Sequence, residues 1–237
     1  MYTFNSRIRY SEVNQHCQLT LSNITNYFQD CTNFQSEDLG IGIQYCKNQK
    51  RAWILSAWQI IVNRFPMLGE EITVGTWVTT TKGIYTNRNF VLKDKNGNDC
   101  AVGNAIWVYL DIEKGIPCRI TEDIMAIYPK KEPYVMEYAP RKIAVPKELT
   151  EKERILITPL YLDSNHHVNN SQYIKIAESC LPEDFIIYQM RADYRSSALL
   201  NDTIVAKISN NDTIFTVSLE NPKGTIFAVV EFQRKIE

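Results

Sequence analysis

Residues 84–112 read I-Y-T-N-R-N-F-V-L-K-D-K-N-G-N-D-C-A-V-G-N-A-I-W-V-Y-L-D-I, and this stretch decides the fold class. Two runs rich in β-branched and aromatic residues, 84–93 and 100–112, flank a turn at 95–98. An Asn-Gly pair between such runs is a strong hairpin signal. A further strand is predicted just upstream, at 71–80, so the middle of the chain is expected to form an antiparallel sheet.

The order of a helix followed by strands occurs twice along the chain. Apolar residues on one helical face begin each half: Leu21, Ile24, Phe28 and Cys31 in the first, and Tyr173, Ile176, Ala177, Cys180 and Leu181 in the second. Thr20 is predicted to cap the first helix and Asn169 or Asn170 the second, which Pro182 ends. Strands at 203–208, 213–219 and 225–232 follow. This pattern predicts an α+β duplication, with each helix in the concave face of a curved sheet.

A proline-rich stretch separates the two halves. Residues 129–150 contain four of the nine prolines in the chain. Because proline interrupts both helices and sheets, this stretch is predicted to be an extended linker. It divides the chain into an N-terminal domain, 1–128, and a C-terminal domain, 151–237.

Composition excludes several classes of function. The chain has 237 residues and a net charge of −1, so the whole molecule is not attracted to nucleic acid or to anionic lipid. It lacks a signal peptide and any apolar run near the roughly 20 residues that span a bilayer, which predicts a cytoplasmic protein. The six cysteines include no C-x-x-C pair, so no metal site is predicted. Phosphate-binding glycine motifs are also missing from the sequence.

The residues suited to chemistry lie just before the second helix. Asp163, Asn165 and His167 alternate, and alternate residues of an extended segment project to the same side. An imidazole can move a proton near neutral pH, a carboxylate can orient it, and an amide can hold a water or a carbonyl oxygen. Backbone N–H groups at the helix start could receive an oxyanion. The alternative is that Asp163 and Asn165 shape a turn while His167 caps the helix.

The first half contains a similar pattern. Glu12, Asn14 and His16 have the form [DE]-x-N-x-H, and each residue precedes its counterpart in the second half by 151 positions (163 minus 12, 167 minus 16). The pattern is interpreted as support for the duplication. It is either a second site or a relic whose side chains have structural roles.

Two motifs resemble those of one known family, the acyl-acyl carrier protein thioesterases. Residues 163–174, D-S-N-H-H-V-N-N-S-Q-Y-I, resemble its signature D-x-N-x-H-V-N-N-x-x-Y-I, and residues 64–78 resemble its R-Y-P-x-x-G-D-x-V-x-V-x-T-W-V stretch. The resemblance implies a double hotdog fold and hydrolysis of fatty acyl-acyl carrier protein thioesters in fatty acid biosynthesis. It also implies acyl carrier protein as the partner, and neither a metal nor an organic cofactor.

The resemblance assigns residues to the site and shows one departure. Asp163, Asn165 and His167 fall on the active-site Asp, Asn and His of the family, and the acyl chain is expected in the N-terminal domain. Ser197 stands where the family has a Glu thought to activate the water, so it becomes a candidate for holding that water. An acyl-CoA thioesterase and a non-catalytic acyl-binding hotdog protein are the alternatives. Both a monomer of two hotdogs and a homodimer are compatible with the sequence.

Overall fold

The computed structural model describes residues 1–235, which form two compact units. The first unit comprises residues 1–56 and 63–138, and the second comprises residues 57–62 and those from 139 onward. The elements in chain order are β1 (Tyr2–Arg7), α1 (Leu21–Asp38), α2 (Ile43–Asn48), β2 (Arg51–Val62), β3 (Glu71–Lys82), β4 (Tyr85–Asp94), β5 (Asp99–Asp111), β6 (Ile116–Pro117), α3 (Glu122–Ile127), β7 (Thr150–Leu156), α4 (Asn170–Glu178), β8 (Ile187–Tyr194), β9 (Thr203–Asn210), β10 (Ile214–Glu220) and β11 (Ile226–Arg234).

The sheet of the first unit is antiparallel in the order β1-β3-β4-β5, with β6 paired to β5. The hairpin predicted between β4 and β5 is confirmed. Asp94 N–H donates to Asn98 O at 3.0 Å, and Gly97 adopts a φ of +84°, a left-handed conformation that favours glycine.

Helix α1 packs its predicted apolar stripe against this sheet. Leu21, Ile24 and Phe28 are fully buried, and the Phe28 ring stacks on Phe90 of β4 with 5.0 Å between centroids. Burial of each such side chain stabilises the fold by about 1.5–3 kcal/mol. Thr20 caps the helix as predicted, because its hydroxyl accepts the Asn23 N–H.

The second unit is antiparallel in the order β2-β8-β11-β10-β9-β7, where β2 contributes its last six residues, 57–62. Helix α4 packs on β10 and β11. Its predicted cap at Asn169 is confirmed, since the Asn169 side chain accepts the Ser171 N–H at 3.0 Å. The helix ends at Glu178, so Cys180 and Leu181, which were predicted to extend its stripe, lie beyond it.

The stretch predicted to be a linker is divided between the two units. Residues up to 138 belong to the first unit, where Lys131 N–H donates to Val78 O at 3.0 Å. In the second unit the Arg195 guanidinium donates to Ile143 O at 2.7 Å, and β7 already begins at the last residue of the stretch. The boundary between the units therefore falls inside 129–150, which is held by hydrogen bonds along its length. Within residues 1–235, no helix is both long and apolar enough to cross a bilayer.

Candidate active site

Residues 162–168 form a tight reversal of the chain in the second unit. Asp163 N–H donates to His167 O at 2.8 Å, Leu162 and Val168 form a β-bridge, and His166 has a φ of +61°. The prediction of an extended segment here is wrong. The chain turns here because the short side chain of Asp163 accepts hydrogen bonds from the backbone two and four positions ahead.

The Asp163 carboxylate stabilises the turn. Its Oδ1 accepts the backbone N–H groups of Asn165 at 2.8 Å and His167 at 3.3 Å. Within residues 1–235 the imidazole of His167 makes no hydrogen bond to Asp163 or to Asn165. The turn-shaping alternative therefore describes Asp163, whereas the His167 side chain is exposed and free to meet a ligand.

A second loop lies beside this turn. Val168 N–H donates to Ala198 O at 3.0 Å, which ties the residue after His167 to the residue after Ser197. The Ser197 side chain is exposed and makes no hydrogen bond within the described part of the chain. The structure therefore brings together two of the predicted site residues, His167 and Ser197, on neighbouring loops. Asn165 lies exposed at the tip of the turn.

The start of α4 supplies backbone donors to the same region. Ser171 N–H is occupied by the Asn169 side chain, and Gln172 N–H donates to Asn169 O at 2.9 Å. Asn170 N–H makes no hydrogen bond to any residue within 1–235. Because the first N–H groups of a helix carry its partial positive charge, this group suits an oxyanion.

Tyr173 is a site residue that sequence reasoning assigned only to the core. It is 2% exposed, and its hydroxyl accepts the Ala198 N–H at 2.8 Å. Burial raises the pKa of this phenol to about 12, and the negative charges of Asp202 and Asp163 add to the effect. The polar end of an otherwise buried tyrosine thus contacts the loop that bears Ser197.

The pattern found in the first half forms the same turn with different residues at its key positions. Asn14 N–H donates to Gln18 O at 2.8 Å, and Asn14 Oδ1 accepts the N–H groups of His16 at 2.9 Å and Gln18 at 3.1 Å. Cys17 has a φ of +58°, which matches that of His166. Because the bonding pattern is the same, Asn14 is structurally equivalent to Asp163, and Gln18 is equivalent to His167.

The predicted equivalence of Glu12, Asn14 and His16 with the second-half residues is therefore wrong by two positions. The hydrogen bonds place equivalent residues 149 apart (163 minus 14, 167 minus 18). Glu12 instead accepts the Tyr27 hydroxyl at 2.7 Å and the Arg9 N–H at 2.8 Å. The duplication of the turn is real, and a glutamine occupies the imidazole position in the first unit.

A search of residues 1–235 finds no group of three or more His, Cys, Asp or Glu side chains that could hold a metal ion. The six cysteines are free thiols: Cys17, Cys31, Cys46, Cys100, Cys118 and Cys180. What the site offers is an exposed imidazole, a hydroxyl, an amide and a helix N–H group. Such a set can move a proton to or from water and hold a developing negative charge on oxygen.

Known proteins match the chain in both sequence and structure. A family model described as the acyl-ACP thioesterase N-terminal domain matches residues 1–128. The chloroplastic palmitoyl-acyl carrier protein thioesterase of Cuphea hookeriana is 31% identical over 140 residues, which cover 55% of this chain and 34% of that protein. The chain therefore spans about a third of the length of this relative.

Two solved structures share the fold over nearly the whole chain. An acyl-ACP thioesterase from Bacteroides thetaiotaomicron has a TM-score of 0.89 at 20% identity and covers 98% of this chain and 97% of its own. A 12:0-ACP thioesterase from Umbellularia californica has a TM-score of 0.82 at 15% identity and covers 100% and 98%. At these identities the likeness concerns the fold, and it confirms the predicted α+β double hotdog.

Proposed function

Because the chain belongs to the acyl-ACP thioesterase family, we propose that it hydrolyses the thioester joining a fatty acyl chain to acyl carrier protein. The products are a free fatty acid and the holo-carrier protein. The partner is then a carrier protein bearing a phosphopantetheine-linked acyl chain. We further propose that the first domain, predicted as 1–128, holds the acyl chain and that the second contributes the reacting groups.

The observation that supports this function best is the position of the His167 imidazole. It is exposed, makes no hydrogen bond within residues 1–235, and lies on a turn tied through Val168 to the loop of Ser197. An exposed imidazole on a turn that is tied to a hydroxyl-bearing loop suits the binding and deprotonation of a water molecule.

In the proposed mechanism the imidazole acts first as a base and then as an acid. Water held by Ser197 gives a proton to His167 as its oxygen attacks the thioester carbonyl carbon. The carbonyl oxygen becomes an oxyanion, which accepts a hydrogen bond from Asn170 N–H. When the tetrahedral intermediate collapses, the carbon–sulfur bond breaks, and the imidazolium returns its proton to the leaving thiolate.

The predicted carboxylate and amide have different roles in this proposal. Asp163 holds the His167 backbone N–H, so it sets the turn from which the imidazole projects. Asn165 is exposed at the tip of the turn, where its amide can hold the thioester carbonyl or the phosphopantetheine arm. The oligomeric state and the predicted cytoplasmic location remain predictions.

The test is the substitution His167→Gln, assayed by release of free thiol from an acyl carrier protein thioester. Glutamine already occupies the equivalent position, Gln18, in the same turn of the first unit, so the variant is expected to fold. Loss of a general base lowers the rate by about 10²–10⁴-fold. The matched control is His16→Gln, an exposed histidine outside the proposed site, which should leave turnover unchanged.

Two results would count against the proposal. Equal turnover by His167→Gln and the parent would exclude His167 as the base. If the unmutated protein binds the acyl carrier protein thioester without releasing thiol, hydrolysis is excluded and the non-catalytic alternative is favoured. The observation that supports this alternative is that position 197 has a serine hydroxyl and not a carboxylate. Parallel assays with acyl-CoA at equal concentration decide between the two thioester substrates.

A further inference from the structure

The two units share a second frame of hydrogen bonds around the loop that precedes β3 or β9. Four hydrogen bonds of the first unit each have a counterpart in the second. Leu19 N–H donates to Pro66 O at 2.8 Å as Val168 N–H donates to Ala198 O at 3.0 Å, and Ile8 N–H donates to Glu70 O at 2.9 Å as Ile157 N–H donates to Asp202 O at 2.8 Å. Gly69 N–H donates to Ile8 O as Asn201 N–H donates to Ile157 O, both at 3.0 Å, and Met67 N–H donates to the Glu70 carboxylate as Leu199 N–H donates to the Asp202 carboxylate, both at 2.8 Å. Gly69 and Asn201 both have positive φ, +83° and +69°. The backbone of the two loops is therefore equivalent, position by position.

One pair of residues differs between the copies in a way that concerns the site. In the second unit, Ala198 N–H donates to the Tyr173 hydroxyl at 2.8 Å. The equivalent positions in the first unit are Pro66, which has no N–H group, and Ile24, which has no hydroxyl. The donor and its acceptor are thus present together in one copy and missing together in the other.

The physical cost of separating the pair explains why the two changes go together. A buried N–H group or hydroxyl left without a partner destabilises a protein by about 1–3 kcal/mol, whereas two apolar partners of suitable shape cost little. Both Tyr173 and Ala198 are buried. The first unit shows that the fold is complete with the apolar pair, so folding alone does not require the tyrosine hydroxyl at this position.

The hydrogen bond acts on the peptide that joins Ser197 to Ala198. Tyr173 holds the N–H of this peptide, and Val168, next to His167, holds the Ala198 carbonyl on the other side. The two bonds fix the backbone on either side of Ala198, and with it the direction of the Ser197 carbonyl, relative to the His167 turn. In the proposed mechanism this backbone segment is what places Ser197, and the water it holds, beside the His167 turn.

We propose that Tyr173 is a positioning residue for the hydrolysis: its buried hydroxyl fixes the Ser197–Ala198 peptide opposite His167. This inference rests on the proposed function. Tyr173→Phe removes only the hydroxyl and should lower kcat by about tenfold to a hundredfold, because about 1–3 kcal/mol of hydrogen-bond energy no longer holds the loop. KM should change less than about twofold, since the tyrosine does not contact the substrate.

A second variant separates positioning from stability. Tyr173→Phe combined with Ala198→Pro removes both polar partners, as in the first unit where neither is present, so its stability should recover most of what the single change loses. Its kcat should stay low, because the Ser197–Ala198 peptide then lacks the hydrogen bond to the tyrosine hydroxyl. Hydrogen exchange of the Ala198 amide in the single variant, faster than in the parent, would report release of the peptide.

The control is Ser179→Ala, which deletes a hydroxyl at the C-terminal end of α4 that donates to Ile176 O at 2.7 Å, and should leave kcat unchanged. If the single variant turns over as fast as the parent, or if the double variant recovers kcat along with stability, Tyr173 has only a structural role. If the unmutated protein shows no turnover, the proposed function is overturned as well. If the unmutated protein is active, His167→Gln is inactive and Tyr173→Phe turns over as fast as the unmutated protein, this inference alone is overturned.

Discussion

Asn89 of β4 is the residue whose removal should most clearly detach the 129–138 segment from the first unit. Its side chain is fully buried and makes four hydrogen bonds: Oδ1 accepts from Tyr134 N–H at 3.0 Å and from the Tyr138 hydroxyl at 2.9 Å, and Nδ2 donates to Gly103 O at 3.2 Å and to Asn104 Oδ1 at 3.4 Å. Asn89→Ala leaves the Gly103 carbonyl and the Tyr134 N–H without this partner.

The expected loss follows from those orphaned groups. Each buried backbone group without a partner costs about 1–3 kcal/mol, but Tyr134 is only half-buried and can reach water once the segment loosens. We therefore expect Asn89→Ala to lower the free energy of unfolding by about 2–4 kcal/mol. That is a large part of the 5–15 kcal/mol that is usual for a folded protein.

Urea denaturation measures the free energy of unfolding of the whole protein, and hydrogen exchange of the Tyr134 amide measures the local opening of the 129–138 segment. The matched control is Asn87→Ala, two residues earlier on the same strand face, where the side chain makes one exposed bond to Thr80 at 3.0 Å. The control should lose less than about 1 kcal/mol. Equal losses in the two variants, or an unchanged Tyr134 exchange rate in Asn89→Ala, would refute the idea that this segment is an integral part of the first unit.

Three further outcomes are expected. Burial raises the pKa values of Tyr27, Tyr109 and Tyr173 to about 12, so each phenol stays protonated to a higher pH in the folded protein than in the unfolded chain. The stability that these phenols contribute should therefore be constant below about pH 10 and fall as the pH rises toward 12, by up to roughly 2–3 kcal/mol per tyrosine; unchanged urea midpoints across this window would contradict the burial argument. Ser197→Glu, which supplies the carboxylate expected from the family resemblance, should raise the thiol-release rate at least tenfold, and an unchanged rate would remove position 197 from the mechanism. Thr20→Ala should lower the stability by about 1 kcal/mol through loss of the α1 cap, as measured by thermal unfolding, and an unchanged midpoint would show that the cap contributes nothing.

The elements that the sequence predicts well are those with strong local signals. Helix α1 has an apolar stripe and a capping Thr20, and the turn between β4 and β5 has its Asn-Gly pair. The sequence did not give the bounds of strands β2 and β7, for opposite reasons. The second half of β2, A-W-Q-I-I-V, is mostly apolar and does not alternate with polar residues, so it resembles a buried helix, whereas β7 is charged and exposed along most of its length.

The sequence predicted the local geometry of the candidate site wrongly, and the roles of its residues stay a prediction. The spacing of Asp163, Asn165 and His167 is compatible with a strand as well as with an Asx turn, and only the hydrogen bonds of the Asp163 carboxylate decide between them. The same limit explains the two-residue error in matching the halves. A sequence alignment matches identical residues, such as Asn14 and Asn165. Structural equivalence depends on backbone hydrogen bonds, which the sequence does not show.

The internal duplication offers a physical reason why only one of the two turns should be reactive. In the first unit the loop carboxylate of Glu70 is held by the Arg64 guanidinium at 2.8 and 2.9 Å, which lowers the pKa of Glu70 and neutralises its charge. The residue equivalent to Arg64 is Ser196, and within residues 1–235 Asp202 forms no ion pair. The backbone hydrogen bonds are thus the same in both copies, while the second copy has an imidazole in place of Gln18 and lacks the arginine–carboxylate ion pair. A glutamine side chain cannot take up a proton near neutral pH, whereas an imidazole can, so only the turn of the second unit carries a group suited to proton transfer.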